Sequence, residues 1–240
     1  MKIALLISGG GTTAARVISE CRPGGRLDGV EPALVIASRP DAPGIQRVLD
    51  AGMPPENVIV IERSKFPTPG TFGGAIISEC EKRGVEFIGQ YGWMHLTPAN
   101  VIGRYKGMMV NQHPGPLDIG REDFGGPGMY GMRVHAARIL FVEKTGHDFW
   151  SEATAQLVAE EFDGGQVIKT GRVPINAGDT PEMLAARMLP VEHEVQIQAL
   201  FDFLHKSVRV THRDQPLVQP EEVSILEACK KEAIQMYPKG

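Results

Sequence analysis

Short apolar runs alternate with helical segments along the first half of the chain, and this alternation constrains the fold more than any other feature. Apart from Gln90 in the fourth run, these runs lack polar residues, as is typical of strands that a parallel sheet buries on both faces. The runs lie at residues 3–7, 32–37, 58–61, 87–91 and 108–110. We therefore predict an α/β fold, with a Rossmann-like, mostly parallel twisted sheet and flanking helices.

The pattern is less regular in the segments between these runs and in the second half of the chain. Prolines and glycines at residues 66–74 predict a loop before a helix that ends near Gly84, and a longer Gly- and Pro-rich loop is expected at 114–132. Beyond it the sequence predicts a helix at 133–141, strands at 153–162 and 166–173, and helices at 180–205 and 221–236. We expect one domain over residues 1–206, with halves 1–110 and 111–206, and a C-terminal tail over 207–240.

The composition excludes several classes of function. The chain has 240 residues, a net charge of −4 and three cysteines. The negative charge argues against a nucleic-acid or anionic-membrane partner, and the first apolar run is too short for a signal peptide or a membrane span. The widely spaced cysteines predict free thiols in a reducing compartment and no metal site. We expect a cytoplasmic protein that acts on small molecules. The sequence does not decide between a monomer and a homodimer.

Residues 9–13, Gly-Gly-Gly-Thr-Thr, lie between the first strand and a helix that is expected from about Ala14. Glycine lets a backbone approach a ligand closely, and the N–H groups at a helix start favour an anion such as phosphate. The same residues fit a loose dinucleotide fingerprint. Binding of NAD would need an acidic residue after the second strand, where the chain has Ser38-Arg39-Pro40. NAD is therefore disfavoured as a ligand, whereas NADP remains an alternative. A tight turn without a ligand is the structural alternative.

Asn111, His113 and Asp163 are the candidate catalytic residues. Asn111 and His113 are two positions apart in an extended segment, so their side chains point to the same side. An amide can polarise a carbonyl and a His–Asp pair can move protons, and together these suit acyl transfer. Taken singly, each is equally well explained as a capping or turn residue.

Four motifs, taken together, resemble the folate-dependent formyltransferases. They are Ile7-Ser8-Gly9-Gly10-Gly11-Thr12, Asn111-Gln112-His113-Pro114, Asp163-Gly164-Gly165, and Gly178-Asp179-Thr180 with Glu192-His193. The resemblance covers about residues 1–206, and it is closest to the members that formylate glycinamide ribonucleotide in de novo purine biosynthesis. It implies transfer of a formyl group from 10-formyltetrahydrofolate, as co-substrate, to a primary amine, without a metal.

The resemblance implies a role for each candidate catalytic residue. Asn111 would polarise the formyl carbonyl and stabilise the oxyanion that forms on attack. His113 would assist at the same oxygen or at the departing folate nitrogen. Asp163 would set the charge of the histidine and relay the proton lost by the amine.

The resemblance also implies two ligand sites. The substrate phosphate would lie on Gly10, Gly11, Thr12 and Thr13. The ribose would lie on Glu192, which without the family is equally explained as part of a solvated helix face. The folate pterin would lie against Trp93, Met94, His95, Leu96, Glu160, Glu161 and Phe162.

The chain departs from the family in three places. The family's Thr-Val-His before the aspartate is Thr154-Ala155-Gln156 here, and a glutamine cannot move a proton. The asparagine after the phosphate glycines is Thr13. The short loop after the histidine is replaced by a longer one, residues 116–131. His135 follows this loop and could enter the site, although a position on the helix surface is the expected one.

Several rival functions follow from the same residues. A family member that formylates a nucleotide-linked amino sugar would use the same core, whereas an NADP-dependent oxidoreductase would use the Gly9 loop and Arg39. Gln156 suggests a protein that binds folate without catalysis. We do not expect the C-terminal barrel of the methionyl-tRNA enzyme, because only 34 residues follow Lys206. Nor do we expect the N-terminal regulatory domain of formyltetrahydrofolate hydrolase, because the first strand begins near residue 2.

Overall fold

The structure is a computed structural model that describes residues 1–118, 121 and 123–240. The chain forms two compact units. Unit 1 consists of residues 1–112, 157–160 and 196–208, and unit 2 of residues 113–156, 161–195 and 209–240. One domain over residues 1–206, followed by a C-terminal tail over 207–240, stays a prediction.

The alternation of strands and helices in the first half is confirmed. The strands are β1 (Lys2–Ile7), β2 (Glu31–Ala37), β3 (Val58–Val60), β4 (Phe87–Gln90) and β5 (Met109–His113). The helices between them are α1 (Thr12–Glu20), α2 (Gly44–Asp50), α3 (Pro69–Lys82) and α4 (Ala99–Arg104). The pairs β1–β2, β1–β4, β2–β3 and β4–β5 are all parallel. Because the first strands are buried on both faces, their apolar runs have no polar alternation.

The helix α3 begins earlier than the sequence suggests, so the loop expected at residues 66–74 is wrong. The Thr68 hydroxyl accepts the backbone N–H of Thr71 at 3.1 Å, and the Thr71 hydroxyl accepts the backbone N–H of Thr68 at 3.2 Å. Pro69 occupies the first position of the helix, where no N–H donor is needed. The prolines and glycines that suggested a loop are therefore the capped start of a helix.

Two further strands, β6 (Trp150–Leu157) and β7 (Val167–Pro174), pair antiparallel. With them the strand order is β3-β2-β1-β4-β5-β6-β7, a mostly parallel sheet with flanking helices as predicted. β6 ends at Leu157 and not near residue 162, so Asp163 lies inside the connecting loop. The long helix α6 (Pro181–Leu204) follows β7, and a methyl group at Gly171 would lie 2.6 Å from Val191 of that helix.

The remaining helices are α5 (Met132–Thr145) and α7 (Val223–Met236), both in unit 2. α5 runs past the predicted end at residue 141 and stops at Gly146, which adopts a φ of +76° that favours glycine. The predicted loop at 114–132 precedes α5, and its residues 119, 120 and 122 lie outside the described residues. The helix predicted at 221–236 is confirmed as α7.

Across the described ranges, no helix is long and apolar enough to cross a membrane. The same ranges contain no group of three or more His, Cys, Asp or Glu side chains arranged to hold a metal ion. The three cysteines, Cys21, Cys80 and Cys229, carry free thiols. Burial raises the pKa of the Cys21 and Cys80 thiols to about 12, so they remain protonated and unreactive.

Candidate active site

The glycine loop joins β1 to α1 in unit 1. Gly11 has a φ of +65°, and a methyl group there would lie 2.7 Å from Cα of Gly44, so only glycine fits. The N–H of Gly44 donates to the carbonyl of Gly9 at 3.0 Å, which holds the loop against the start of α2. The N-cap of α1 is Gly11, and among the described residues no side chain caps this helix start. Its first N–H groups are therefore available to an anion.

Two arginines lie beside this loop. Arg47, an exposed residue of α2, donates to the carbonyl of Gly10, and Arg39 donates through Nε to the carbonyl of Ser8 at 3.1 Å. In the sequence, Arg39 supports only the NADP alternative, and no signal points to Arg47. Arg47 is 37 positions from Gly10 along the chain, and no motif connects them. Both guanidinium groups add positive charge where the helix start already favours an anion.

The loop after β4 is joined to the glycine loop through Ser8. The Ser8 N–H donates to the carbonyl of Gly92 at 3.0 Å, and its buried hydroxyl accepts the N–H of Met94 at 3.0 Å. The same hydroxyl accepts the Ser38 hydroxyl at 2.8 Å. A single small polar side chain thus connects three segments of unit 1.

The residues expected to contact folate differ in exposure. Trp93 is buried and lies 5.3 Å from the ring of His95, whereas Met94 and Leu96 are exposed. Burial, followed by the charge of Arg63, lowers the pKa of His95, so this ring is neutral at physiological pH. His95 is therefore suited to hydrogen bonding with a neutral ring system and not to ion pairing.

A cavity of about 340 Å³ lies next to these residues, wholly within unit 1. It is lined by Arg63, Pro69, His95, Leu96, Thr97, Pro98, Ala99 and Glu160. Three residues assigned to folate, His95, Leu96 and Glu160, share this cavity. Its volume falls within the range of small-molecule sites, roughly 300–1,000 Å³. Arg63 was not found from the sequence, because it lies in a connection without a motif.

Asn111 lies within β5 and not after it, and it is paired in register with Gln90 of β4. Its side chain is half-buried. His113, the last residue of the same strand, is 3% exposed. The strand geometry directs both side chains to one face, as the spacing predicts.

His113 and Asp163 meet in unit 2. The distance from His113 Nδ1 to Asp163 Oδ2 is 3.5 Å, long for a hydrogen bond but within ion-pair range. The other ring nitrogen, Nε2, lies 3.2 Å from the carbonyl oxygen of Phe124. The imidazole therefore has a carboxylate on one side and a backbone carbonyl on the other.

Asp163 is held by two further donors. Its Oδ1 accepts the Gln156 side-chain amide at 2.7 Å, and its Oδ2 accepts the backbone N–H of Gly126 at 3.0 Å. Because a carboxylate only accepts, the amide nitrogen of Gln156 must face it. Gln156 is 2% exposed, and its Oε1 has no hydrogen-bond partner in the described part of the chain. Gln156 is thus an orienting contact of Asp163 and leaves an acceptor unused.

His135 does not lie on the helix surface, so that expectation is wrong. It is 5% exposed, and burial, with a smaller effect of the charge of His113, lowers its pKa to about 4. The reason is that α5 is covered on several sides, with nine residues from Arg133 to Val142 buried. An amphipathic pattern read from sequence alone assumes one buried face.

Glu192, on α6, is 7% exposed, so the solvated-face alternative is also wrong. Glu160, Glu161 and Phe162 are exposed in the loop after β6. The predicted residues thus fall into two sets. Unit 1 holds the glycine loop, Asn111, Glu160 and residues 93–96, and unit 2 holds His113, Asp163, Glu161, Phe162 and Glu192.

Comparison with known proteins assigns the family. The sequence family described as "Formyl transferase" matches residues 1–200, which is most of the chain, and the protein belongs to it. One relative is the chloroplastic phosphoribosylglycinamide formyltransferase of Arabidopsis thaliana, 29% identical over 91% of this chain and 70% of its own length. Another is the phosphoribosylglycinamide formyltransferase of Escherichia coli, 26% identical over 81% of this chain and 83% of its own length.

Solved structures agree with this assignment. The glycinamide ribonucleotide transformylase 1 of Symbiobacterium toebii matches with a TM-score of 0.74 and 26% identity, over 88% of this chain and 93% of its own. The phosphoribosylglycinamide formyltransferase of Bacillus halodurans matches with a TM-score of 0.72 and 26% identity, over 86% of this chain and 97% of its own. The predicted formyltransferase fold is confirmed.

Proposed function

We propose that this protein transfers the formyl group of 10-formyltetrahydrofolate to the amine of glycinamide ribonucleotide, a step of de novo purine biosynthesis. The observation that carries the proposal is the His113–Asp163 contact of 3.5 Å beside the strand that bears Asn111, in a chain of the formyl transferase family. The rival amino-sugar acceptor and the NADP-dependent oxidoreductase have no comparable support.

Each catalytic residue has a chemical task in this proposal. As the substrate amine adds to the formyl carbon, the carbonyl π electrons move to oxygen, and the Asn111 amide donates a hydrogen bond to the developing oxyanion. An oxyanion donor of this kind contributes about 3–4 kcal/mol. The C–N bond to the folate then breaks. The proton lost by the amine passes through the His113–Asp163 pair to the departing folate nitrogen, so charge and protons balance.

The phosphate of the ribonucleotide is proposed to bind the glycine loop, at Gly10, Gly11, Thr12 and Thr13. The support is the left-handed turn at Gly11, the uncapped start of α1 and the two arginines beside the loop. The ribose hydroxyls are proposed to bind Glu192. A carboxylate is a suitable acceptor for two neighbouring hydroxyl donors.

The folate is proposed to lie along residues 93–96 and 160–162. The cavity in unit 1 has the volume for a ring system, and Arg63 in its lining can pair with a carboxylate of the folate glutamate. Exposed apolar side chains of Met94, Leu96 and Phe162 can pack against its rings. This chain's own residues therefore offer polar, apolar and cationic contacts of the kinds that a reduced folate requires.

The remaining expectations belong to this proposal. The enzyme acts on small molecules, and we place it in the cytoplasm, although the plant relatives are named as chloroplastic. Residues 1–206 are proposed as the catalytic domain. A homodimer is the alternative to a monomer, and analytical ultracentrifugation distinguishes the two directly.

The test is turnover of 10-formyltetrahydrofolate, followed by absorbance, with and without glycinamide ribonucleotide. Release of deformylated folate only in the presence of the ribonucleotide is the expected result. Release without it would identify a hydrolase. No release with any amine, while folate still raises the melting temperature, would leave only a folate-binding protein. The Asp163→Asn variant should lose at least about 100-fold in rate while folding normally.

A further inference from the structure

The glycine-rich loop, residues 116–131, contacts the proposed catalytic pair through its main chain. Its Phe124 carbonyl faces His113 Nε2 at 3.2 Å, and its Gly126 N–H donates to Asp163 at 3.0 Å. A carbonyl oxygen only accepts, so Nε2 must carry a proton. Nδ1 is then the ring nitrogen that faces Asp163. The loop therefore fixes the orientation of the imidazole and directs proton exchange to the side of the aspartate.

The described part of this loop contains little regular structure of its own. An isolated bridge joins Asp118 to Arg121, and no helix or longer strand is formed among the loop residues that the structure describes. Asp123, Gly126 and Gly128 have positive φ angles of 33°, 88° and 84°. A backbone of this kind keeps one conformation only if neighbouring segments hold it.

The C-terminal segment, residues 209–240, supplies polar contacts that hold the loop. Arg213 donates from Nε and Nη2 to the carbonyl of Leu117, at 3.2 and 3.1 Å. The N–H of Leu217 donates to Asp118 at 3.3 Å. These bonds fix the main chain shortly before Phe124, on the side of the loop that follows His113.

The far end of the same loop is held through Arg133, at the start of α5. Its Nη1 donates to the carbonyl of Gly128 at 2.9 Å. Its Nε and Nη2 donate to the carbonyls of Tyr237 and Pro238, each at 2.7 Å. One guanidinium group thus ties the end of the loop to the end of the C-terminal segment.

The loop and the C-terminal segment also share one hydrophobic cluster. Phe124 and Met129 contribute from the loop, and the segment contributes Leu217, Val218, Leu226, Cys229 and Ala233. Phe124 is fully buried there, with its ring 5.3 Å from that of Phe141. The residue whose carbonyl faces His113 is therefore anchored by side chains of the C-terminal segment.

We propose that the C-terminal segment is a positioning element of the catalytic pair, acting through the glycine-rich loop. The inference rests on the proposed function, because it takes His113 and Asp163 as the residues that move the proton. Loosening the segment lets the Phe124 carbonyl and the Gly126 N–H leave the pair. The cavity proposed for folate lies in unit 1, whereas the loop and the segment lie in unit 2.

The test compares two residues of α7. Leu226→Ala removes a buried member of the shared cluster, whereas Met236→Ala truncates a side chain that is 51% exposed on the same helix. We expect Leu226→Ala to lower kcat by about 10- to 100-fold with little change in the KM for folate. Met236→Ala should leave both constants unchanged. If Leu226→Ala does not fold, deletion of residues 237–240 replaces it, because this deletion removes two of the three carbonyl acceptors of Arg133.

A second readout needs no substrate. In protein labelled with ¹⁵N-histidine, the His113 Nε2–H gives an NMR signal that reports its bond to Phe124. We expect this signal to shift and to exchange faster with water in Leu226→Ala and to be unchanged in Met236→Ala. A lowered melting temperature with an unchanged His113 signal and kcat would overturn the inference. A wild-type protein without turnover but with the NMR difference would refute the proposed function alone.

Discussion

Replacing Gly125 by alanine should disable the enzyme by displacing Asp163. A methyl group at this position would lie 2.6 Å from Asp163 Cβ, 2.8 Å from Asp163 Oδ2 and 2.7 Å from Leu117 Cδ2. Carbon atoms in contact prefer about 3.5–4.0 Å, so the loop and the aspartate must separate by about 1 Å. A displacement of about 1 Å costs on the order of 100-fold in rate, or about 2.7 kcal/mol in activation free energy.

The assay is steady-state turnover at a temperature well below the melting transition, with thermal unfolding measured in parallel. Overpacking at Gly125 should lower the free energy of unfolding by about 1–3 kcal/mol, which leaves the protein folded under assay conditions. The matched control is Gly74→Ala in α3, where a methyl group meets nothing within 4 Å. This control should keep full activity.

A double-mutant cycle separates a local effect on Asp163 from general damage. If Gly125→Ala acts through Asp163, it should cost little further rate in an Asp163→Asn background. Wild-type turnover in Gly125→Ala would refute the reasoning, because the loop and Asp163 would then not be in the described contact. Fully additive losses would show that the alanine acts elsewhere.

Two other substitutions test buried polar groups of unit 2. Burial lowers the pKa of His135 to about 4, so its contribution to stability is present above its ordinary pKa of 6.5 and is lost as the pH falls towards 4. The free energy of unfolding of the wild type should therefore fall by on the order of 3 kcal/mol more than that of His135→Gln over this range, and parallel denaturation curves would contradict this. Gln156→Glu would place a second carboxylate against Asp163, so kcat/KM relative to the wild type should decrease as the pH rises. A constant ratio across the pH–rate profile would remove Gln156 from the orientation of Asp163.

The fold was predictable because its signals are local. Continuous apolar runs such as residues 3–7 and 32–37 are typical of buried parallel strands, and the glycines after β1 mark a strand–loop–helix turn. The start of α3 was not predicted, because a proline such as Pro69 is common both in loops and at the first position of a helix. Capping by Thr68 and Thr71 decides between them, and it is visible only in the structure.

The candidate site was only partly predictable, because several of its contacts do not depend on the type of residue at a position. Asn111, His113 and Asp163 were proposed from the chemistry of their side chains. The groups that contact His113 and Asp163, the Phe124 carbonyl and the Gly126 N–H, belong to the main chain, and every residue has such groups. Arg47 was missed for a related reason, since its contact with Gly10 depends on chain folding over 37 positions.

The hydroxyl of Ser8 has a consequence for how each substrate affects the affinity for the other. It connects the glycine loop to the loop at Met94, so the proposed phosphate and folate sites share one buried hydrogen-bond acceptor. A ligand that stiffens one loop reduces the conformational entropy that the other ligand must still remove. The two affinities are then linked, and thermodynamics requires the linkage to be equal in both directions. Calorimetric titration of each substrate in the presence of the other should give the same enhancement factor, and Ser8→Ala should reduce both factors together.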